Sequence, residues 1–197
     1  MFKKNFKMKR AFKMITVLAM VVLMSTTTFA VEETGVTVES GTLSAGDITF
    51  SNFTGITLDG VLKTTPATWP IGNIIDARGT GDGWNLELTL TQLKEWNTGT
   101  SAYVTSGKVI PAGSIEVTTG AAVTLADSTS SPANTITPVV PGTPLDTGAS
   151  VKLLKAATNG GMGSYAISDI TATLTTRADA YAATYKTDAI VAIVTGP

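Results

Sequence analysis

The stretch Asp76-Ala77-Arg78-Gly79-Thr80-Gly81-Asp82-Gly83-Trp84-Asn85-Leu86-Glu87-Leu88-Thr89-Leu90 decides the fold class. Its first half is a polar turn with glycine at every second position from Gly79 to Gly83. From Trp84 onward the even positions are Trp84, Leu86, Leu88 and Leu90, and the odd ones are Asn85, Glu87 and Thr89. Strict alternation with a period of two is the mark of a half-buried strand, because successive side chains leave opposite faces of a sheet. Trp84 shares its face with three leucines and is therefore expected in the core. Asn85 is expected to face outward.

Working outward, the same style of sequence continues in both directions. Thr, Gly, Ala, Val and Ile dominate, and turn residues recur at intervals of about ten. β-Branched residues pack well on a pleated surface and lose rotamer freedom in a helix. Candidate strands are Gly35–Glu39, Gly46–Phe50, Gly55–Leu62, Ile71–Asp76, Trp84–Gln92, Ala102–Ser106 and Ser114–Thr119. Ala122–Ala126, Ser150–Ala156, Gly163–Ile167, Ile170–Thr175 and Ala183–Val194 complete the set. The polar stretch Thr91–Trp96 reads as one helical turn at most. The fold class expected is all-β, a single β-sandwich of Ig-like or barrel-like form. Ser130 to Pro144 holds four prolines, which remove ladder donors, so it is expected to form an extended loop or an edge rather than a central strand.

The first thirty residues belong to a different argument. Lys3, Lys4, Lys7, Lys9, Arg10 and Lys13 precede an apolar run from Met14 to Met24, and Thr28-Phe29-Ala30 closes the segment. A basic region, a short apolar core and small terminal residues describe a secretory signal peptide. The run is about half of the ~20 residues that a spanning helix requires. Residues 1–30 are therefore expected to be removed after Ala30, leaving a β domain over residues 31–197 that is not inserted in a membrane. Removal takes six of the 14 basic residues and none of the 15 acidic ones, leaving 8 against 15 and a net charge of −7. Such a balance argues against nucleic-acid binding, which uses clustered Lys and Arg. It also means that contact with an anionic wall polymer has to be specific or cation-assisted.

Histidine and cysteine are both absent. Their absence removes Ser-His-Asp triads, Cys-His dyads, disulfides and the usual zinc ligands together. Ser106-Gly107-Lys108 is a Ser–Lys pair that reads better as a solvated turn. Glu87 and Glu95 could be paired on paper as a glycosidase acid and base, but nothing in the sequence places a cleft around them. Asp76 and Asp82 bracket a glycine turn as calcium ligands can. Arg78 stands between them, so an ion pair of Arg78 with Asp76 or Asp82 is the simpler account. The chain is therefore expected to be non-enzymatic, with no metal and no cofactor. Sugar rings stack on flat side chains, and the candidates are Trp69, Trp84, Trp96, Tyr103, Tyr165, Tyr181 and Tyr185. Trp69, between Thr68 and Pro70, and Trp96, between Glu95 and Asn97, lack apolar alternation around them. They are expected to be exposed contacts, joined by Arg78, Asp82 and Asn85 of the polar turn.

The run Gly83-Trp84-Asn85-Leu86, preceded by Asp76-x-Arg78-Gly79-x-Gly81, resembles the proximal signature of the WxL domain family. Near the C-terminus, Tyr185 and Pro197 keep the spacing of that family's distal motif. Between them Ala189 holds the aliphatic position, while Ile190, Val191 and Ile193 replace the motif's Thr, Trp and Leu. Gly83, Trp84, Leu86, Tyr185 and Pro197 are thus the structural signature. The resemblance implies a secreted surface protein of a Gram-positive cell wall, held non-covalently on peptidoglycan. It also implies company, namely other WxL proteins and a membrane-anchored WxL-interacting partner. Consistent with attachment of this kind, Pro197 is not preceded by a sorting motif or an apolar tail. A second reading is a structural subunit of a surface fibre or adhesin, assembled through strand edges with Val31–Glu39 as a donor segment.

Overall fold

The structure, a computed structural model, describes residues 36–197. The expected signal peptide and the first residues of the expected donor segment lie outside the described residues. Val36 and Val38 are exposed and carry no strand. Residues Glu39–Pro197 form a compact unit by themselves.

That unit is a β-sandwich of antiparallel sheets, and among the described residues its helical content is one 3₁₀ turn at Ala133–Thr135. In chain order the strands are β1 (Leu43–Ala45), β2 (Lys63–Trp69), β3 (Gly72–Asp76), β4 (Trp84–Leu90) and β5 (Lys94–Asn97). They continue with β6 (Ala102–Tyr103), β7 (Ile115–Thr119), β8 (Val123–Leu125), β9 (Ile136–Pro138) and β10 (Ser150–Ala156). The last four are β11 (Gly163–Ile167), β12 (Ile170–Thr176), β13 (Tyr185–Lys186) and β14 (Ala189–Thr195).

Three chain segments turn a corner together. β2 runs into β3 through Pro70-Ile71, β11 into β12 through Ser168-Asp169, and β7 into β8 through residues 120–122. One side of the corner is the sheet β2-β12-β7 and the other is β1-β3-β11-β8. The remaining large sheet has the order β14-β4-β10-β9, with the signature strand β4 between two partners from the last quarter of the chain. Trp84, Leu86 and Leu88 of β4 are fully buried and Leu90 nearly so. They meet Ile74, Tyr165, Ile115 and Ile170 in one apolar cluster. Consecutive Leu153 and Leu154 are both fully buried because a bulge breaks the register of β10 between Lys152 and Leu154. At the Leu90 end, β5 is the middle strand of the small sheet β13-β5-β6.

Several expectations need correcting. Gly35–Glu39 is not a strand in its described part, and neither are Gly46–Phe50 and Gly55–Leu62. Residues 46–62 instead form a long strap without regular structure. The apolar residues in it serve to dock, as Phe50 and Phe53 do when they set their rings edge-on against Trp69, with centroids 5.0 and 6.0 Å away. Thr91–Trp96 is not a helical turn; its second half is β5, held between β6, which follows it in a hairpin, and β13, which is distant in sequence. Lys63–Trp69 is a strand that Pro66 hides from a propensity reading. Proline is tolerated there because β2 lies at a sheet edge, paired with β12 alone. Within the Pro-rich stretch, Ile136–Pro138 forms the short edge strand β9.

Candidate functional site

The expected contact residues fall at opposite ends of β4. A seven-residue strand separates those ends by about 20 Å.

At the Trp84 end the polar turn is folded onto its own chain. Asp76 is 2% exposed, and its two carboxylate oxygens accept from Arg78 Nε and Nη2 at 2.9 Å each. Arg78 Nη2 also donates to the Gly83 carbonyl at 2.9 Å, and Nη1 donates to Thr195 Oγ1 at 2.8 Å. One guanidinium therefore ties the end of β3, the start of β4 and the end of β14. Burial alone would push the Asp76 carboxyl up, but the Arg78 side chain and backbone N–H outweigh it and hold the carboxyl below its usual range. With both oxygens engaged by Arg78, Asp76 is an ion-pair partner and not a cation ligand. Asp82 stays exposed and outside this pair.

Asn85 does not face solvent. It is 3% exposed, and Nδ2 donates to the Gly196 carbonyl at 2.6 Å, because the chain beyond β14 closes over the outer side of β4. Trp84 is fully buried, as expected from its alternation, and its indole N–H donates to the Gly161 carbonyl at 2.9 Å. Gly83 has a φ of +74°, and a Cβ on it would stand 2.6 Å from the Ala156 carbonyl oxygen. Only glycine fits that position.

Trp69 is not an exposed contact either. It is 3% exposed, and its indole N–H donates to the Ser51 carbonyl at 3.1 Å. Its neighbours Thr68 and Pro70 gave no sign of burial, since the apolar cover comes from Phe50 and Phe53 of the strap.

The Leu90 end is different. Trp96 of β5 is half-buried and stands edge-on to Tyr103 of β6, with ring centroids 5.1 Å apart. Lys186 Nζ lies 4.1 Å from the Trp96 centroid, and Lys108 Nζ lies 4.1 Å from that of exposed Tyr181. Lys94 sits directly opposite Lys186 across the β5–β13 pair. Among the described residues none of these three lysines is in an ion pair, whereas Lys63, Arg78 and Arg177 each are. Two carboxylates are close by and are otherwise engaged. Glu95 Oε2 accepts from the Lys108 backbone N–H at 2.8 Å, and Asp188 Oδ1 accepts from the Tyr103 hydroxyl at 2.8 Å. Burial and then the Asp188 carboxylate push the Tyr103 hydroxyl up to about 12. In a chain with excess negative charge, this patch concentrates cations beside flat rings. The lysines escaped the sequence reading because four separated segments supply the patch. A local window shows Lys94, Lys108 and Lys186 only as solvated charges.

The WxL family model, described as a surface cell wall-binding WxL domain, matches residues 39–189. The chain belongs to the WxL domain family. No curated protein and no solved structure gives a match. The family is one of cell-wall-binding surface domains and not a known enzyme family, so this WxL domain belongs to a cell-surface protein that associates with the wall. Three of the signature residues of the WxL domain are accounted for by packing. Gly83, Trp84 and Leu86 build the turn and the core, and the Tyr185 hydroxyl donates to the Tyr181 carbonyl at 2.9 Å. Val191 pairs with Leu88 and is 38% exposed on the edge strand β14. Pro197 is exposed beyond it.

Proposed function

We propose that the mature chain, residues 31–197 after loss of the leader, is a non-enzymatic surface protein of a Gram-positive wall that binds peptidoglycan non-covalently. The patch around Trp96 carries this reading. Trp96, Tyr103 and Tyr181 offer faces on which sugar rings stack, and Lys94, Lys108 and Lys186 offer ammonium groups to the carboxylates of the wall peptide. Such a patch gives a net-acidic domain a local means of approaching an anionic polymer. Of the residues expected at the contact, Trp96 remains the best placed, while Arg78, Asn85 and Trp69 support the fold and Asp82 is peripheral. The test is retention of the mature chain on purified sacculi at moderate salt. Wild-type protein should sediment with the wall, and Trp96→Ala combined with Lys186→Ala should stay in the supernatant while its thermal midpoint falls by only about 2–4 °C. Equal sedimentation of the double variant would overturn the site.

A second reading, assembly with another protein as a fibre or adhesin subunit or on a WxL-interacting partner, is favoured by β14. Among the described residues this strand pairs with β4 alone, and Ala189–Thr195 contains no charge, proline or bulge to blunt its other edge. Ile190 is 66% exposed on it. If assembly uses this edge, Ile190→Lys should abolish concentration-dependent oligomers in sedimentation velocity and leave sacculus binding intact. Oligomers that persist would sink the edge as the route.

A further inference from the structure

The strap 46–62 covers a cavity of about 970 Å³, and the Trp96 patch lies at its rim. Its floor is core: Trp69, Leu90, Ile110, Ile115 and Leu174 line it and are each at most 8% exposed. Its roof is the strap, from which Phe53, Ile56 and Leu58 turn half-buried side chains inward. Interiors of proteins are close-packed, and voids beyond the size of a few waters are uncommon in them. A space of this volume with an apolar floor is within the range of small-molecule sites.

The roof is loosely tied. Thr49 N–H donates to the Pro70 carbonyl at 3.2 Å, and Ser51 Oγ donates to the Thr68 carbonyl at 2.8 Å. From Asn52 to Leu58 no hydrogen bond joins the strap to the rest of the unit. The segment is held there by apolar contact, so it can part without breaking a ladder. At the rim, Tyr181, Tyr185 and Lys186 line the cavity, with Lys94 across from Lys186 and Lys108 over Tyr181. The cavity therefore has one lysine, Lys186, in its lining, and among the described residues that lysine has no carboxylate partner.

We propose that this cavity binds a single-chain anionic amphiphile, its aliphatic chain under the strap and its head against Lys186. Charge complementarity selects the head: a cation or a neutral head would leave Lys186 unanswered, whereas a carboxylate or phosphate completes it. The apolar floor selects the tail, because polar groups buried there would find no partners. Binding here shares Lys186 with the proposed wall contact but adds the space under the strap, so a change on the strap separates the two.

The test is quenching of tryptophan fluorescence in the purified protein by bromine-labelled hexadecanoate and by a bromine-labelled hexadecyl phosphate, below their micelle concentrations. Trp69 lines the cavity, so quenching should saturate and should vanish in Trp69→Phe. Ile56→Asp places a charge on the apolar face of the strap, where no ladder depends on it, and should weaken binding about tenfold or more. The same variant should keep its thermal midpoint and its retention on sacculi. Lys186→Ala should weaken binding about fivefold, and the neutral hexadecanol should bind less tightly than either anion. Tighter binding of one anion identifies the head as carboxylate or as phosphate. Absence of saturable quenching, or quenching unchanged in Ile56→Asp, would overturn the site. Equal affinity for hexadecanol would overturn the role of Lys186.

Discussion

At the Trp84 end of β4, Arg78, Trp84 and Asn85 direct their donors to Asp76, Thr195 and the carbonyls of Gly83, Gly161 and Gly196. At the Leu90 end, Trp96, Tyr103, Lys108 and Lys186 arrange their rings and charges toward water, beside a strap with few ties. The same strand thus joins a closed region and an open one. The family signature lies in the closed region. Its residue types are required because of backbone shape and buried polar pairing, and such requirements hold whatever the domain binds. The open region carries groups able to meet a ligand, and the proximal signature contains none of them.

This contrast can be broken most directly at Trp84. Trp84→Ala should lower unfolding free energy by about 4 kcal/mol in a denaturant titration, through the cavity left and the stranded Gly161 carbonyl. A folded Trp84→Ala protein that has lost wall binding would place the contact in the signature after all. Next in size is Arg78→Ala. It leaves the buried Asp76 carboxylate with the backbone N–H of residue 78 in place of the guanidinium and should cost about 3 kcal/mol. Arg78→Lys should recover only part, since an ammonium cannot fork to Asp76, Gly83 and Thr195 together.

The two ends should also separate by pH. Asp76 has a folded pKa held below its ordinary 3.8. Its stabilisation is present above that value and is lost as pH falls through the folded pKa. Tyr103 is shifted the other way, from 10.0 up to about 12. Its stabilisation is present below pH 10 and is lost as pH rises from there toward about 12. Asp76→Asn should shrink the acid limb of a stability–pH curve and leave the alkaline limb unchanged, and Tyr103→Phe should do the reverse. The smallest effect on stability belongs to Trp96→Ala, about 1 kcal/mol, because that ring is already half in water. Its effect on sacculus retention should be the larger one. If Trp96→Ala unfolds the domain instead, the two regions differ less than their geometry indicates.

Much of this was legible in the sequence where side-chain period and burial coincide. Trp84, Leu86, Leu88 and Leu90 read as a core row because the strand is regular and nothing bends it. The turn before them read as an Arg78–carboxylate clamp because three glycines and two aspartates leave few other uses for a guanidinium. Trp69 was misread since its cover comes from a strap without regular structure, whose phenylalanines do not alternate with anything. Asn85 was misread for a related reason. Alternation assigns it to the outer face, and only the chain at Gly196, distant in sequence, makes that face an interior. The Trp96 patch was half legible: the aromatic residues stand out one by one, but their lysines arrive from other segments through tertiary pairing.

The placement of β4 has a further consequence, for the order of events after synthesis. The bond from Trp84 to Gly161 spans 77 residues, that from Asn85 to Gly196 spans 111, and that from Arg78 to Thr195 spans 117. Neither flanking strand of the signature exists until the last quarter of the chain has emerged. Nucleation therefore requires closing long loops before any ladder bond of β4 can form, which slows folding in the manner of high-contact-order β proteins. Until β10 and β14 are made, the apolar row of β4 has no neighbouring strand and its face stays uncovered.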